Sequence, residues 1–356
     1  MVRSHFLHSN RIKMHYLERA GDGPVLFLIH GNGSSSVFWR KLMGRLPASY
    51  RAIAPDMRGY GHSEAAVVDA TRGFDDFVED IAALMRSLEI EQAHFIGHSL
   101  GGGMLFAFAS VYSEKVQSLT LVNPASPYGF GGTKGVDGKP CMPDFAGSGG
   151  GIVNPEFVQR LIKKDRSLAD LNASPKAVIN RYYWRPPFVP NNIEELLESL
   201  FQEKIGEKHY PGDFYKSSNF PFVKPGIYGP MNAASPKYLN GMASAFIYAE
   251  KKFKVLWVRG ADDEVVSDES VFDPGTLGKL GLLPDYPGAE VYPSQPMVSQ
   301  TRYVLEQYAE HGGSFQEVVM QETGHTPFIE KPQEFITHLD TFIQELKIDN
   351  YEKIRK

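Results

Sequence analysis

Short apolar runs alternate with helix-patterned stretches through residues 1–124, and no other feature of the chain limits its fold as strongly. Val25–Ile29 (VLFLI) is apolar without a break, as a strand buried on both faces must be. Residues 12–18 (IKMHYLE), Arg51–Pro55 (RAIAP), 94–97 (HFIG) and 118–122 (SLTLV) read as further strands. Between them, 36–46 has helical spacing and stops before Pro47. Residues 74–88 place Phe74, Phe77, Val78, Ile81, Leu84, Met85 and Leu88 on one helical stripe, and 100–112 reads as a helix rich in small residues. Strands alternating with helices over short connections predict an α/β fold with a mostly parallel, doubly wound sheet flanked by helices.

The alternation then stops. Residues 123–252 contain no clear strand, two glycine-rich stretches (129–138 and 146–151) and four helix candidates, 155–164, 175–183, 191–204 and 236–249. Strand patterns return at 255–258 (VLWV) and 315–320 (FQEVVM), the second bracketed by helix patterns at 298–311 and 333–346. The chain therefore divides into a core, residues 1–124 and 253–356, and a mainly helical cap, residues 125–252, inserted between two strands of one sheet. Residues 267–296 form a loop rich in Pro and Gly. Loops that long inside a compact domain are usually functional or mobile, and this one is placed to reshape a pocket mouth.

Composition removes several function classes. Lys plus Arg number 37 and Asp plus Glu 42, a formal charge of −5, which argues against a nucleic-acid binder or an anionic-lipid anchor. Cys141 is the single cysteine, so no internal disulfide can form, and no apolar run reaches a membrane span. Residues 1–10 (MVRSHFLHSN) lack the apolar core of a signal peptide, which leaves the cytoplasm as the expected compartment. Neither H-E-x-x-H nor paired C-x-x-C occurs, and no glycine motif follows a strand in the way a nucleotide site requires, so neither a metal nor a cofactor is expected.

The strongest chemical signal is Gly97-His98-Ser99-Leu100-Gly101, a G-x-S-x-G that follows a strand and opens a helix. A serine on that turn is lifted above the sheet with a helix N-terminus beneath it. Here the chain resembles the α/β-hydrolase fold family. His30-Gly31-Asn32-Gly33 after the Val25–Ile29 strand, the 55–63 run (PDMRGYGHS), and Gly324-His325 with 326–332 (TPFIEKP) match the same family. The resemblance covers about residues 10–124 and 253–346, not the cap, and implies that the cap follows the sixth strand.

It also implies a Ser, acid, His order along the chain. Ser99 is then the nucleophile and His325 the base. The family pattern Gly-x-x-Asp-x-x-Val selects Asp263 as the acid from Asp262-Asp263-Glu264, with Asp262 next in order. The resemblance places the oxyanion donors at the N–H groups of Asn32 and Leu100. Gly31, Phe38, Trp39, His98, Met104, Tyr128 and Trp184 are the candidate substrate-binding residues, although the 182–188 aromatics (YYWRPPF) read first as the cap's own core and only second as a substrate wall. His30, His62 and the 55–63 run read as structural. The stretch from His30 to Arg40 is also similar to haloalkane dehalogenases of this fold, but Ser99 stands where those have aspartate, which argues against displacement at saturated carbon and against epoxide hydrolysis.

The implied activity is hydrolysis of a small carboxylic ester or lactone through an acyl-enzyme, by a monomer or homodimer with no cofactor. Amide or peptide hydrolysis of the prolyl-aminopeptidase type and C–C bond hydrolysis use the same triad. A ligand receptor with slow turnover is the alternative from a different class.

Overall fold

The computed structural model describes residues 1–354. Its centre is an eight-stranded sheet: β1 (Val2–His8), β2 (Lys13–Arg19), β3 (Val25–Ile29), β4 (Arg51–Pro55), β5 (Ala93–His98), β6 (Val116–Val122), β7 (Lys254–Gly260) and β8 (Ser314–Met320). The spatial order is β1-β2-β4-β3-β5-β6-β7-β8, with β2 antiparallel to both β1 and β4 and the other pairs parallel. The helices of the first half are α1 (Arg40–Arg45), α2 (Asp75–Ser87) and α3 (Leu100–Val111). Those between β6 and β7 are α4 (Pro155–Ile162), α5 (Pro175–Tyr182), α6 (Ile193–Leu200), α7 (Pro230–Ala233) and α8 (Met242–Ile247). The last four are α9 (Pro274–Lys279), α10 (Met297–Glu310), α11 (Pro327–Glu330) and α12 (Pro332–Ile354). No helix among the described residues is long and apolar enough to cross a membrane.

The unbroken apolar runs are buried because both sheet faces are covered. Alternate residues of one strand point to opposite layers. Phe27, Phe95, Leu119 and Trp257 join the cluster under α2, α3, α8 and α10, while Leu26, Leu28, Ile96 and Val258 join the one under α1 and α12. Strand β1 was not expected. It lies on the sheet edge with alternating exposure, so its cohesion comes from backbone pairing with β2 and it carries no apolar run to betray it.

Most of the insertion after β6 is irregular; helices outweigh strands among its regular elements, but it is not strand-free. It carries three two-stranded ladders, Thr133–Lys134 with Lys139–Pro140, Ile205–Gly206 with Tyr210–Pro211, and Phe214–Lys216 with Val223–Pro225. None exceeds three residues, too short for any periodicity to register. The helix expected over 236–249 contracts to α8, and its Phe246 packs on Phe106 and Tyr308. The end of the insertion thus packs with α3 and α10 against the sheet.

The 267–296 loop is fastened to the glycine-rich stretch after β6. Gln295 donates to Gly129 O and accepts from Gly131 N–H, and the Tyr292 hydroxyl donates to Ala146 O. Asp273 anchors the loop, with Oδ2 accepting the N–H groups of Thr276 and Gln295, and it is 1% exposed. Burial raises its carboxyl to about 6. The folded state therefore holds a proton that the unfolded state releases at lower pH, so stability falls as pH rises through that interval. Asp273→Asn keeps a capping oxygen and cannot ionise. Its stability relative to wild type should rise by up to about 3 kcal/mol between about pH 4 and about pH 8; urea unfolding at both pH values checks this, and a pH-independent difference would contradict it.

Candidate active site

Ser99 occupies the turn between β5 and α3 with φ 54° and ψ −123°, a left-handed conformation that a serine adopts only under constraint. Its backbone supplies the constraint. Its N–H donates to Val122 O, and its carbonyl accepts from the N–H groups of Gly102, Gly103 and Ala125. The turn is also close-packed. A Cβ on Gly101 would lie 2.4 Å from His30 O, and one on Gly31 would lie 2.7 Å from the Ser99 Cβ. Glycine at both positions is what brings the 30–33 loop against the serine.

That loop is set by His30. Its Nδ1–H donates to Gly31 O, and its Nε2 accepts the N–H of Met57. Acceptance at Nε2 requires the neutral ring, and burial lowers its pKa in keeping with that. The Asn32 amide oxygen accepts from the Tyr60 hydroxyl at 2.8 Å. Among the described residues, neither the Asn32 N–H nor the Leu100 N–H donates to a protein acceptor outside the helices and strands. Leu100 opens α3, where an N–H has no intrahelical partner.

His325, between β8 and α11, is 2% exposed, and Asp263, just after β7, is 7% exposed. His325 Nδ1 and Asp263 Oδ2 are 2.8 Å apart. Asp263 Oδ1 accepts the N–H groups of Val265 and Val266, which fixes the carboxylate. Asp262, by contrast, points outward to Arg185 at 2.9 Å, with its side chain about half exposed.

Three residues outside the expected set hold His325. Asn123, at the end of β6, donates through Nδ2 to Gly324 O and His325 O and accepts the Gly260 N–H. Its φ of 41° suits asparagine, which tolerates the left-handed region. Glu330 accepts the N–H groups of Gly324 and Arg185, and burial raises its carboxyl above the ordinary range. Tyr183 presents its ring to His325 at 6.1 Å, and its hydroxyl donates to Asn32 O and Gly33 O. Tyr183 lies in the 182–188 run and Glu330 in the 326–332 run, while Asn123 lies in neither. Only a three-dimensional bond assigns them roles.

The remaining candidates are dispersed. His98 Nε2 donates to His325 O, and burial together with His325 pushes its imidazole well below the usual value, so it is a neutral support behind the base. Trp39 is fully buried, stacked on Phe328 at 4.0 Å and set edge-on to His98, a packing position. Phe38 packs on Tyr183 and lines a cleft of about 360 Å³ between α1, α6 and the Phe328 turn, whose lining does not include Ser99 or His325. Met104 is buried in the core, and Tyr128 lies over Gly138 in the glycine-rich stretch. Trp184 is buried against Gly324 and Phe188, while its neighbour Tyr183 is the residue that spans the site.

Comparison with known proteins identifies the family. A family model described as alpha/beta hydrolase fold matches residues 24–148. The chain is 30% identical over 254 residues to 2-hydroxymuconate semialdehyde hydrolase of Pseudomonas sp. (strain CF600), covering 70% of this chain and 74% of that protein. The chain belongs to the α/β-hydrolase fold family. This α/β hydrolase is also 33% identical over 113 residues to 2-hydroxy-6-oxo-6-phenylhexa-2,4-dienoate hydrolase of Burkholderia cepacia, covering 31% of this chain and 39% of that one. An esterase from Exiguobacterium antarcticum superposes with a TM-score of 0.59 at 16% identity, over 95% of this chain and 98% of that one.

The bonds of Asn123 yield a test of the site's architecture. Asn123→Ala orphans the buried Gly260 N–H and frees the His325 loop, and should cost about 2–3 kcal/mol. Chemical denaturation measures this, and a loss below about 0.5 kcal/mol, the range of an ordinary surface change, would show that the bonds carry little.

Proposed function

We propose that this α/β hydrolase is a serine hydrolase that cleaves a carboxylic ester or lactone through an acyl-enzyme. Ser99 is the nucleophile, His325 the general base and Asp263 its orienting carboxylate. The observation that carries this reading is the 2.8 Å contact of His325 Nδ1 with Asp263 Oδ2, while Asp262 is engaged at the surface. With Nδ1–H donated to Asp263, His325 keeps its lone pair on Nε2. That atom takes the hydroxyl proton as Ser99 Oγ bonds to the carbonyl carbon. The carbonyl electron pair moves to oxygen, where the N–H groups of Asn32 and Leu100 receive it; one such donor is typically worth about 3 kcal/mol. Collapse of the intermediate expels the alcohol, which takes its proton from His325. Water then attacks the acyl group with the same base and releases the acid. The insertion acts as a cap over this site, with Tyr183 as its contact to both the base and the oxyanion loop.

C–C bond hydrolysis by the same three residues is the second reading, favoured by the similarity to 2-hydroxymuconate semialdehyde hydrolase. The experiment is fluorophosphonate labelling, followed by turnover of a p-nitrophenyl ester series and of a C–C-cleavable diketone. Labelling at Ser99 with ester turnover is the expected result. Labelling with turnover of the diketone alone moves the assignment to C–C hydrolysis, and labelling at another serine overturns both readings. Ser99→Ala should remove labelling without changing the melting temperature. Asp263→Asn should lower kcat by about four orders of magnitude and Asp262→Asn by less than about threefold; the reverse ranking would mean the acid is Asp262.

A further inference from the structure

Both peptides that flank Asn32 are held by side chains. The first joins Gly31 to Asn32. Its carbonyl oxygen, Gly31 O, accepts the Nδ1–H of His30 at 2.8 Å and the Ser34 hydroxyl at 2.9 Å. Both donors are buried, His30 at 1% exposure and Ser34 at 2%. A trans peptide is planar, with its N–H directed opposite to its C=O. Fixing the oxygen on one side therefore aims the Asn32 N–H on the other. The same peptide starts beside the nucleophile, since a Cβ on Gly31 would lie 2.7 Å from the Ser99 Cβ. Donors on a carbonyl also polarise the N–H of that peptide and strengthen it as a donor.

The second peptide joins Asn32 to Gly33, and it is held from the insertion. The Tyr183 hydroxyl donates to Asn32 O at 3.1 Å and, in the same three-centre bond, to Gly33 O at 3.2 Å. Gly33 permits this approach. Its φ is 56°, and a Cβ on it would lie 2.4 Å from that hydroxyl. Tyr183 is itself anchored, because its carbonyl accepts the hydroxyl of the fully buried Thr326 at 2.6 Å. The Asn32 side chain is tied as well, through the bond from the Tyr60 hydroxyl. None of these bonds involves Asp263 or the ring of His325. The resemblance to the hydrolase family does not reach residue 183, so this tie is a property of this chain's own insertion.

We propose that Ser34 and Tyr183 are positioning residues for the oxyanion hole: together with His30 they fix both peptides around Asn32, so that stabilisation of the oxyanion, rather than binding of the substrate, depends on one hydroxyl from the loop and one from the insertion. Both act through Asn32 and not on the reacting atoms. An oxyanion donor contributes only if it is already aimed when charge develops, and these bonds are made before any substrate arrives. The proposal rests on Ser99 being the nucleophile and adds to that reading the residues that set its oxyanion donor.

The test uses the full-length protein and one fluorophosphonate, whose phosphoryl oxygen takes the place of the carbonyl oxygen. Labelling over a range of probe concentrations separates the maximal rate from the half-saturating concentration. Ser34→Ala and Tyr183→Phe should each lower the maximal rate about fivefold, the worth of one hydrogen bond and well short of the roughly hundredfold cost of losing an oxyanion donor outright. The half-saturating concentration should stay within about twofold of wild type. Tyr183→Phe keeps the ring that faces His325, so the pH midpoint of the labelling rate should not move. Both variants should label to completion. A maximal rate within about twofold of wild type in either variant overturns the role of that hydroxyl, and in both overturns the proposal. A rise in half-saturating concentration alone would make the hydroxyls substrate contacts, and a shifted pH midpoint would place their effect on His325; either result overturns it. A lower rate wholly accounted for by incomplete labelling makes the bonds structural and overturns it too. Absence of labelling at Ser99 in the wild type overturns the serine-hydrolase reading, and the proposal with it, which separates the two failures.

Discussion

The main-chain carbonyl of His325 is the point on which the site is built. Asn123 Nδ2 and His98 Nε2 both donate to it at 2.8 Å, and both side chains are buried. His98 ends β5, Asn123 follows β6, and the Asn123 amide oxygen takes the N–H of Gly260, which ends β7. His325 itself lies beyond β8. Four adjacent parallel strands leave their C-terminal ends on one edge of the sheet, and a single hydrogen-bonded network joins all four ends there. The imidazole is consequently located through its backbone, and its Nδ1 is left for Asp263. His98 can serve as a donor so close to another imidazole, 4.6 Å between ring centres, because burial keeps it neutral.

The insertion is tied to this edge by a small number of specific bonds rather than by a broad apolar seam alone. The Tyr183 hydroxyl holds two carbonyls of the 30–33 loop, and its own carbonyl accepts from Thr326. Glu330 takes the Arg185 N–H together with the Gly324 N–H. A displacement of the 183–185 turn would therefore move groups on both sides of His325 at once. The exposed Arg185–Asp262 pair adds little to this, since two half-exposed charges are screened by water.

Most of the sheet was legible because its strands are buried on both faces, and continuous apolar runs such as Val25–Ile29 announce that burial directly. Ser99 and His325 were legible because each sits at a strand end with distinctive neighbours. The edge strand Val2–His8 and the short ladders of the insertion were not, since backbone pairing holds them and side-chain pattern does not. Among the expected substrate contacts, Trp39 and Trp184 are both packed in the core. A large ring near a catalytic motif in sequence is as useful for packing the loop as for lining a pocket, and both indoles lie in the core with Nε1 unpartnered. Asn123 and Glu330 are single polar residues whose roles arise only from what they face across the fold.

Where local rules are broken separates ordinary termination from the needs of the site. Glu89 and Lys164 have positive φ, yet each lies two residues past a helix end, the usual place for a left-handed residue to stop a helix. Ser99 and Asn123 have positive φ at the ends of neighbouring strands, where no helix needs stopping. Their strain is offset by bonds that converge on the same few atoms: four to the Ser99 backbone and three through the Asn123 side chain. Arg58 and Asp80 satisfy each other in the core with two hydrogen bonds. Positive φ also occurs away from this edge, at Phe145, Phe222 and Asp285; what sets Ser99 and Asn123 apart is that bonds from neighbouring strand ends hold both in place.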